Sequence, residues 1–555
     1  LSKGIYESKP WLKHYDPHVP NTLEYPNVPL SQFVDDSVKE FPDRPMMIQG
    51  KRIISFKEFG NYHYSFAAAL ADMGVKKGDR VGIYCLNMPQ YLITLYAAIK
   101  IGAVPTGINP LLTPRELKYI LDDSDAETIV ALDLFLSRVQ EVRKETKLRN
   151  VIVAGLGDFP QEGPLPEPPE YEGAVSFLEL LKYEPKPPEV KINPRDDWAL
   201  LQYTAGTTGL PKGTILTHEN MVRQTTQLMS WLKFERGKEL VCSSFPFFHL
   251  AGLEFNIGCV SMAAGQILIA NPRDIEGTIN LIDQYHPTVI CNVPTIYIQL
   301  LRHPKFEKSA IRKAKIFISG AAAFPPEIIN EYNSKTQGKV LEVWGMTEAS
   351  PVLTANPVEG LKKVGSVGIP LPDTIIKVVD PETGSEELPV GERGELIAYG
   401  PQVFYKGYWK KPEETEKALK NGWYYTGDIG YMDEDGYFYI VDRKKDIINV
   451  SGYKVASREV DDILFEHPAV NMAATIGIPD PDRPGSEIVK AFVTLKDGYE
   501  GSPQLAEEIR QFLKKSLAPY KVPKIIEFRK ELPLSATGKV LKRELREEEK
   551  AKMRK

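Results

Sequence analysis

Chemistry is concentrated in eleven residues of this 555-residue chain, Tyr203-Thr-Ala-Gly-Thr-Thr-Gly-Leu-Pro-Lys-Gly213. A segment so rich in glycine, threonine and lysine suits the wrapping of a polyphosphate. Gly206 and Gly209 let the backbone turn its amides inward, Thr204, Thr207 and Thr208 add hydroxyl donors, and Lys212 brings a mobile positive charge. It is not a Walker A loop, which needs Gly directly before its Lys and Ser or Thr directly after. Here Pro211 precedes Lys212 and Gly213 follows it.

Such a loop needs a scaffold. An apolar strand, Trp198–Gln202, leads into it and a second, Thr214–Leu216, leads out. Helical periodicity starts near Glu219, with Met221, Val222, Leu228, Met229 and Leu232 on one face, so no helix N-terminus receives the phosphates directly. Upstream, Asp79–Cys85 reads as a strand, Gln90–Ile101 as a helix and Gly102–Ile108 as a strand. That rhythm, from Leu30 to about Ala270, predicts α/β layers around a largely parallel sheet. Pro160–Pro194 carries nine prolines and reads as a plain surface connector. After Gly365, segments such as Thr374–Val379, Gly394–Tyr399 and Tyr437–Val441 suggest a small all-β, barrel-like unit. Beyond Asp446 helices at Ser457–Glu466 and Ser502–Leu517 and strands at Ala473–Ile478 and Val489–Leu495 predict a compact α+β module. Its tail, Lys542–Lys555, reads as a charged, solvated helix with an i,i+4 pair at Glu548 and Lys552.

Composition bounds the function. Hydrophobic residues make up 42% and charged residues 26%, ordinary for a folded chain, and a net charge of −5 gives no basic field to attract nucleic acid. Cys85, Cys242, Cys259 and Cys291 form no CxxC pair, which suits a reducing compartment and argues against structural zinc. The most apolar runs, Tyr91–Val104 and Ile257–Ala270, are interrupted by Lys100 and Gln266 and are shorter than the roughly 18 residues a span needs. Leu1-Ser-Lys-Gly has no signal-peptide core, so the expectation is a cytoplasmic protein, monomer or homodimer, with peripheral membrane contact left open.

The loop resembles the signature of the adenylate-forming superfamily, which includes acyl-CoA synthetases, peptide-synthetase adenylation domains and firefly luciferases. Ala205 stands where many members carry Ser. Further motifs follow in the family's order and extend the resemblance over nearly the whole chain. Pro246-Phe-Phe-His249 implies a His beside the acyl pocket, with Leu253 and Gly320 also lining it; Ser319-Gly320-Ala321-Ala322 implies an adenine seat. In Trp344-Gly345-Met346-Thr347-Glu348, Trp344 offers a stacking face, Thr347 a bond to the α-phosphate or acid, and Glu348 a hard oxygen for Mg²⁺. Asp428 and Arg443 resemble the ribose-binding pair, and Lys445 falls at the family's hinge. Ser451-Gly452-Tyr453-Lys454 resembles the loop that meets CoA, although Val455-Ala-Ser-Arg-Glu459 has Ser where the family often has Pro. Pro533–Lys539 resembles the loop of the catalytic lysine, Lys539, whose charge would stabilise the attack of a carboxylate on ATP.

The resemblance implies a large ATP- and acid-binding module over 1–444 and a small mobile module over 445–555. It implies an ATP- and Mg²⁺-dependent acid–thiol ligase that forms an acyl-adenylate, releases pyrophosphate, and passes the acyl group to CoA. Asn109–Leu117 and Lys9-Pro-Trp-Leu look most like medium- or long-chain fatty-acyl-CoA synthetases. An aromatic-acid CoA ligase, a non-CoA acceptor and a luciferase-like oxygenase share these motifs. An amino-acid-activating domain usually has Asp where His249 stands. Leu250-Ala-Gly-Leu253, before Glu254, fits either an acyl tunnel or ordinary core packing.

Overall fold

The first of the most apolar runs becomes a helix, and the second is split between the end of the helix Leu250–Ser261 and the strand Gly265–Leu268. In Pro89–Lys100 every residue except Lys100 is buried, and in Leu250–Ser261 every residue except Ala251 and Ser261 is buried. They face each other between two sheets, where Tyr96 donates a hydrogen bond to Asn256 Oδ1 at 2.7 Å. A helix apolar all round is what such an interior position requires. The computed structural model describes residues 4–204, 211–322, 324–451, 453–481, 483, 486–535 and 538–553.

The first sheet is parallel throughout, with strand order Val104–Gly107, Arg80–Tyr84, Thr128–Leu132, Asn150–Ala154, Val175–Ser176. The second has nine strands. Its parallel centre runs Lys339–Gly345, Ile316–Ser319, Val289–Asn292, Leu240–Ser243, Gly265–Leu268, Pro45–Gln49, and its edges are antiparallel. Trp198–Thr204 and Lys212–Thr217 form an antiparallel hairpin that carries the glycine-rich loop. The next helix, His218–Leu232, starts on a capping box between Thr217 and Asn220. A five-stranded antiparallel sheet follows, centred on Trp423–Met432, which pairs with Gly394–Tyr399 and with Phe438–Arg443.

From Ile448 onward the chain builds its own sheet, Val470–Pro479, Glu487–Leu495 and Ile525–Phe528, with separate apolar clusters on its two faces. One face packs Ser457–Glu466 and Pro503–Leu513, the other packs Lys542–Met553.

Two expectations need correction. Pro160–Pro194 is more than a connector: Val175–Ser176 adds the edge strand of the first sheet, and Phe177, Leu178 and Leu180 behind it are buried. Composition sees the prolines but not the short pairing between them. The tail helix is not simply solvated either. Leu545 is fully buried against the small sheet, and the buried Lys490 ammonium is held between Glu527 and Glu549, each 2.7 Å away. Lys552 pairs with Glu549 and Glu527, whereas Glu548 pairs with Arg529, so the i,i+4 pair is absent. A buried ammonium draws in whichever carboxylates neutralise it.

Replacing Leu545 by Ala is expected to cost the small unit about 2–5 kcal/mol, the usual cost of emptying a buried leucine site. Hydrogen exchange of Val470–Pro479 and Lys542–Met553 should accelerate while the nine-stranded sheet stays protected. Unchanged protection of the tail helix would contradict its packed role.

Candidate active site

The site is assembled at the C-terminal ends of the second sheet's strands, where the third sheet and the small unit meet it. Parallel strands deliver their following loops to one edge, the usual place for a ligand in such sheets. Ile316–Ser319 delivers Gly320, Ala321 and Ala322. Ala321 has φ +66°, a conformation that non-glycine residues rarely hold without surrounding constraint. Lys339–Gly345 delivers Trp344, Gly345 and Met346, then the short helical turn Thr347–Ala349 with buried Thr347 and Glu348.

Asp428 and Arg443 face each other in register on adjacent antiparallel strands, and Arg443 Nε lies 2.5 Å from Asp428 Oδ1. The other carboxylate oxygen accepts from the Trp344 indole N–H at 2.8 Å. One buried carboxylate therefore ties the second sheet to the third and fixes the plane of Trp344.

The chain then turns through 444–446, with Lys445 exposed in the turn, and enters the small unit. Asp446 pairs with Arg546 at 2.7 Å. Asp442, just before the turn, accepts from the Ser457 N–H and hydroxyl, both at 2.6 Å, and so caps the first helix beyond it. These contacts set how the small unit leaves the large one, and none was evident from sequence spacing.

Lys539 lies on a tight turn closed by the Leu534–Val540 bridge. Gly538, at φ +74°, packs so close to Thr295 that an added Cβ would lie 2.6 Å from the Thr295 hydroxyl. The small unit's loop thus docks on the large unit. Lys539 is exposed to solvent, and the walls of the cleft take hydration from part of it. This lost hydration, then the positive Arg443, pulls its pKa down to about 8, with Lys445 adding to the repulsion and Asp428 and Asp446 opposing it.

His249 caps the helix Leu250–Ser261, its Nδ1 accepting from the Ala251 N–H at 3.3 Å. Burial, then the nearby Lys539 charge, pushes its pKa down to about 4. A neutral ring that accepts at Nδ1 carries its proton on Nε2, which makes it an uncharged donor. The residues after it divide. Ala251 is partly open beside His249, whereas Leu253 is sealed in the core. Gly252 sits where the Pro246 carbonyl passes, 2.4 Å from any added Cβ, so its smallness serves backbone packing and not an acyl chain. Glu254 is fully buried and accepts from the Thr225 hydroxyl at 2.8 Å.

Thr204 and Lys212 pair across the mouth of the hairpin. Gly206, Thr207, Thr208, Gly209 and Gly452 lie outside the described residues. Lys212 is paired with Glu414, and its ammonium lies 5.3 Å from the centre of the Tyr408 ring. Tyr408 in turn donates to Glu348 Oε1 at 2.6 Å. Sequence reasoning missed Tyr408 and Glu414, which stand some 200 residues from Lys212. No three His, Cys, Asp or Glu side chains gather around a metal-sized point among the described residues. Glu348 alone fits Mg²⁺ that takes its remaining oxygens from phosphates and water. Ser451, Tyr453 and Lys454 are not brought to this site. Ser451 bonds Ser486 and Arg483, and Tyr453 stacks on Tyr520, all within the small unit.

Comparison with known proteins agrees with this layout. Residues 34–409 match the AMP-binding enzyme family, and residues 459–539 match the AMP-binding enzyme C-terminal domain. A long-chain-fatty-acid–CoA ligase of Bacillus subtilis (strain 168) is 40% identical over 98% of this chain and 99% of its own. One from Escherichia coli O6:H1 is 36% identical over the same shares. The crystal structure of the anthranilate CoA ligase AuaEII with anthranoyl-AMP superimposes with a TM-score of 0.87 at 27% identity, covering 96% of this chain and 98% of that one.

The depressed pKa of Lys539 has a direct test that needs no substrate. Labelling by an amine-selective reagent, followed peptide by peptide in mass spectra, is expected to reach half its limiting rate near pH 8 at Lys539. Ordinary surface lysines should do so near pH 10.4. A midpoint above pH 10 at Lys539 would contradict the crowded, cation-flanked environment.

Proposed function

The chain belongs to the AMP-binding enzyme family, and from that premise we propose the following reading of its chemistry. It is an AMP-forming acyl-CoA synthetase that uses ATP, Mg²⁺ and CoA and acts on fatty acids. The observation that carries the reading is the convergence of Lys539, Arg443 and Asp428 from separately folded units on the end of the strand that bears Trp344.

In the first step a carboxylate oxygen of the acid attacks the α-phosphorus of ATP and the bond to pyrophosphate breaks. Both reactants are anions, so the barrier is largely electrostatic. Lys539, still mostly charged at neutral pH with a pKa near 8, faces the developing charge. Neutral His249 offers its Nε2 proton to the carboxylate without adding a counter-charge that would blunt its attack. Asp428 accepts from the ribose hydroxyls, with Arg443 beside it, and Lys212 meets the outer phosphates. Glu348 would hold Mg²⁺, whose charge offsets that of the triphosphate when bound. In the second step the sulfur of CoA attacks the acyl carbonyl, the bond to AMP breaks, and the thiol proton leaves to solvent.

The small unit serves both steps in this reading by turning about Lys445, which withdraws Lys539 and presents Tyr453 and Lys454 to CoA. The exposed Lys444 and Lys445 in this turn support such a hinge, because Lys445 can change its backbone angles without losing buried contacts. The division into 1–444 and 445–555 belongs to the same proposal. Among the described residues no helix is long and apolar enough to cross a membrane, and the four free, buried cysteines support a cytoplasmic setting.

A fatty acid is favoured by the two ligases 36–40% identical over nearly the whole chain and by the small, partly open Ala251 beside His249. The test is AMP release with acids from acetate to palmitate and with coumarate, each with and without CoA. Turnover should require CoA, and kcat/KM should rise about fourfold per added methylene, or about 15-fold per pair, since each buried methylene contributes about 0.8 kcal/mol. Preference for coumarate over every aliphatic acid would overturn the substrate class. Turnover without CoA would overturn the acceptor.

A further inference from the structure

We propose that Tyr408 is a positioning residue that holds Glu348 and Lys212 in one frame, and that Glu414 competes with the nucleotide's phosphates for Lys212. The proposal rests on the reading of this site as an MgATP site and extends it to two residues outside the recognised motifs.

The segment 404–409 is stitched to both partners by its backbone. The Phe404 N–H donates to the Glu348 carbonyl at 2.8 Å. The Gly407 carbonyl accepts from Ile215, and the Trp409 N–H donates to the Gly213 carbonyl at 2.8 Å, which fastens the segment to the strand that begins at Lys212. Tyr408 therefore spans the metal side and the phosphate side of the site. Its hydroxyl fixes one oxygen of Glu348, and its ring face receives the Lys212 ammonium. Because one Glu348 oxygen is taken, the carboxylate is held in one orientation before any cation arrives.

Glu414 acts on the other end. It stands in the first turn of Pro412–Ala418, and its ion pair with Lys212 holds its carboxyl below the usual range. A triphosphate reaching Lys212 meets this fixed negative charge and must share or displace it. The segment is further pinned by the Tyr408 N–H, which donates to Thr415 Oγ1 at 2.9 Å, so helix and ring move as one piece.

Calorimetric binding of a non-hydrolysable ATP analogue, with EDTA and then with Mg²⁺, separates the two roles. For Tyr408→Phe, metal-free Kd should stay within twofold of the parent, which also reports an intact nucleotide site, and the gain in affinity on adding Mg²⁺ should fall at least fivefold. For Glu414→Gln, metal-free Kd should fall at least threefold. Glu348→Gln is the reference and should lose the Mg²⁺ gain altogether. A full Mg²⁺ gain in Tyr408→Phe beside its loss in Glu348→Gln would overturn the role of Tyr408 while leaving the MgATP reading intact. Retention of the gain in Glu348→Gln would overturn that reading and the proposal with it. Equal or weaker metal-free binding by Glu414→Gln would overturn the competition.

Discussion

The Asp428–Arg443 ion pair is the contact on which the rest of the site depends. Asp428 belongs to the third sheet, bonds the Trp344 indole of the second, and faces the last residue of the strand that leads into the small unit. A buried carboxylate shared in this way cannot give up one partner without leaving the other unpaired, which is costly away from water. The geometry of Trp344, of the Asp428 carboxylate and of the exit toward Lys539 is therefore set together. Asp442 and Asp446 continue the same arrangement one step further, by capping Ser457–Glu466 and pairing with Arg546.

Charge in the cleft is balanced locally. The chain as a whole carries −5, yet Lys212, Arg443, Lys445 and Lys539 are gathered at its site and offset by Glu414, Asp428 and Asp446. Such placement concentrates positive charge in the cleft without the basic surface that would attract nucleic acid. Lost hydration, then the neighbouring Arg443 charge, brings the Lys539 pKa down to about 8, so this lysine remains charged near neutrality by a narrow margin.

Much of this was legible in the sequence because each motif is contiguous and its residues share one strand end or turn. The strand–helix–strand unit near Asp79–Ile108, the hairpin around the glycine-rich loop, and the strands delivering Ser319 and Trp344 appear with boundaries shifted by only a few residues. What escaped was pairing across long separations. Tyr408 with Glu348, Glu414 with Lys212, and Asp446 with Arg546 are each 60 or more residues apart, and no local periodicity encodes them. The tail misled for a related reason. Its composition is that of a solvated helix, but a single leucine and one buried ammonium from another strand decide how it packs.

In the proposed mechanism the small unit delivers Lys539 for adenylation, and this lysine has no part in thioester formation. This assignment is tested most directly by measuring both half-reactions of Lys539→Ala separately: acid-dependent pyrophosphate release from ATP, and CoA-dependent AMP release from pre-made acyl-adenylate. The first is expected to fall by a factor of about 10²–10³, the usual cost of removing a preorganised electrostatic contact, with the second preserved. Normal pyrophosphate release, or equal loss of both steps, would contradict it.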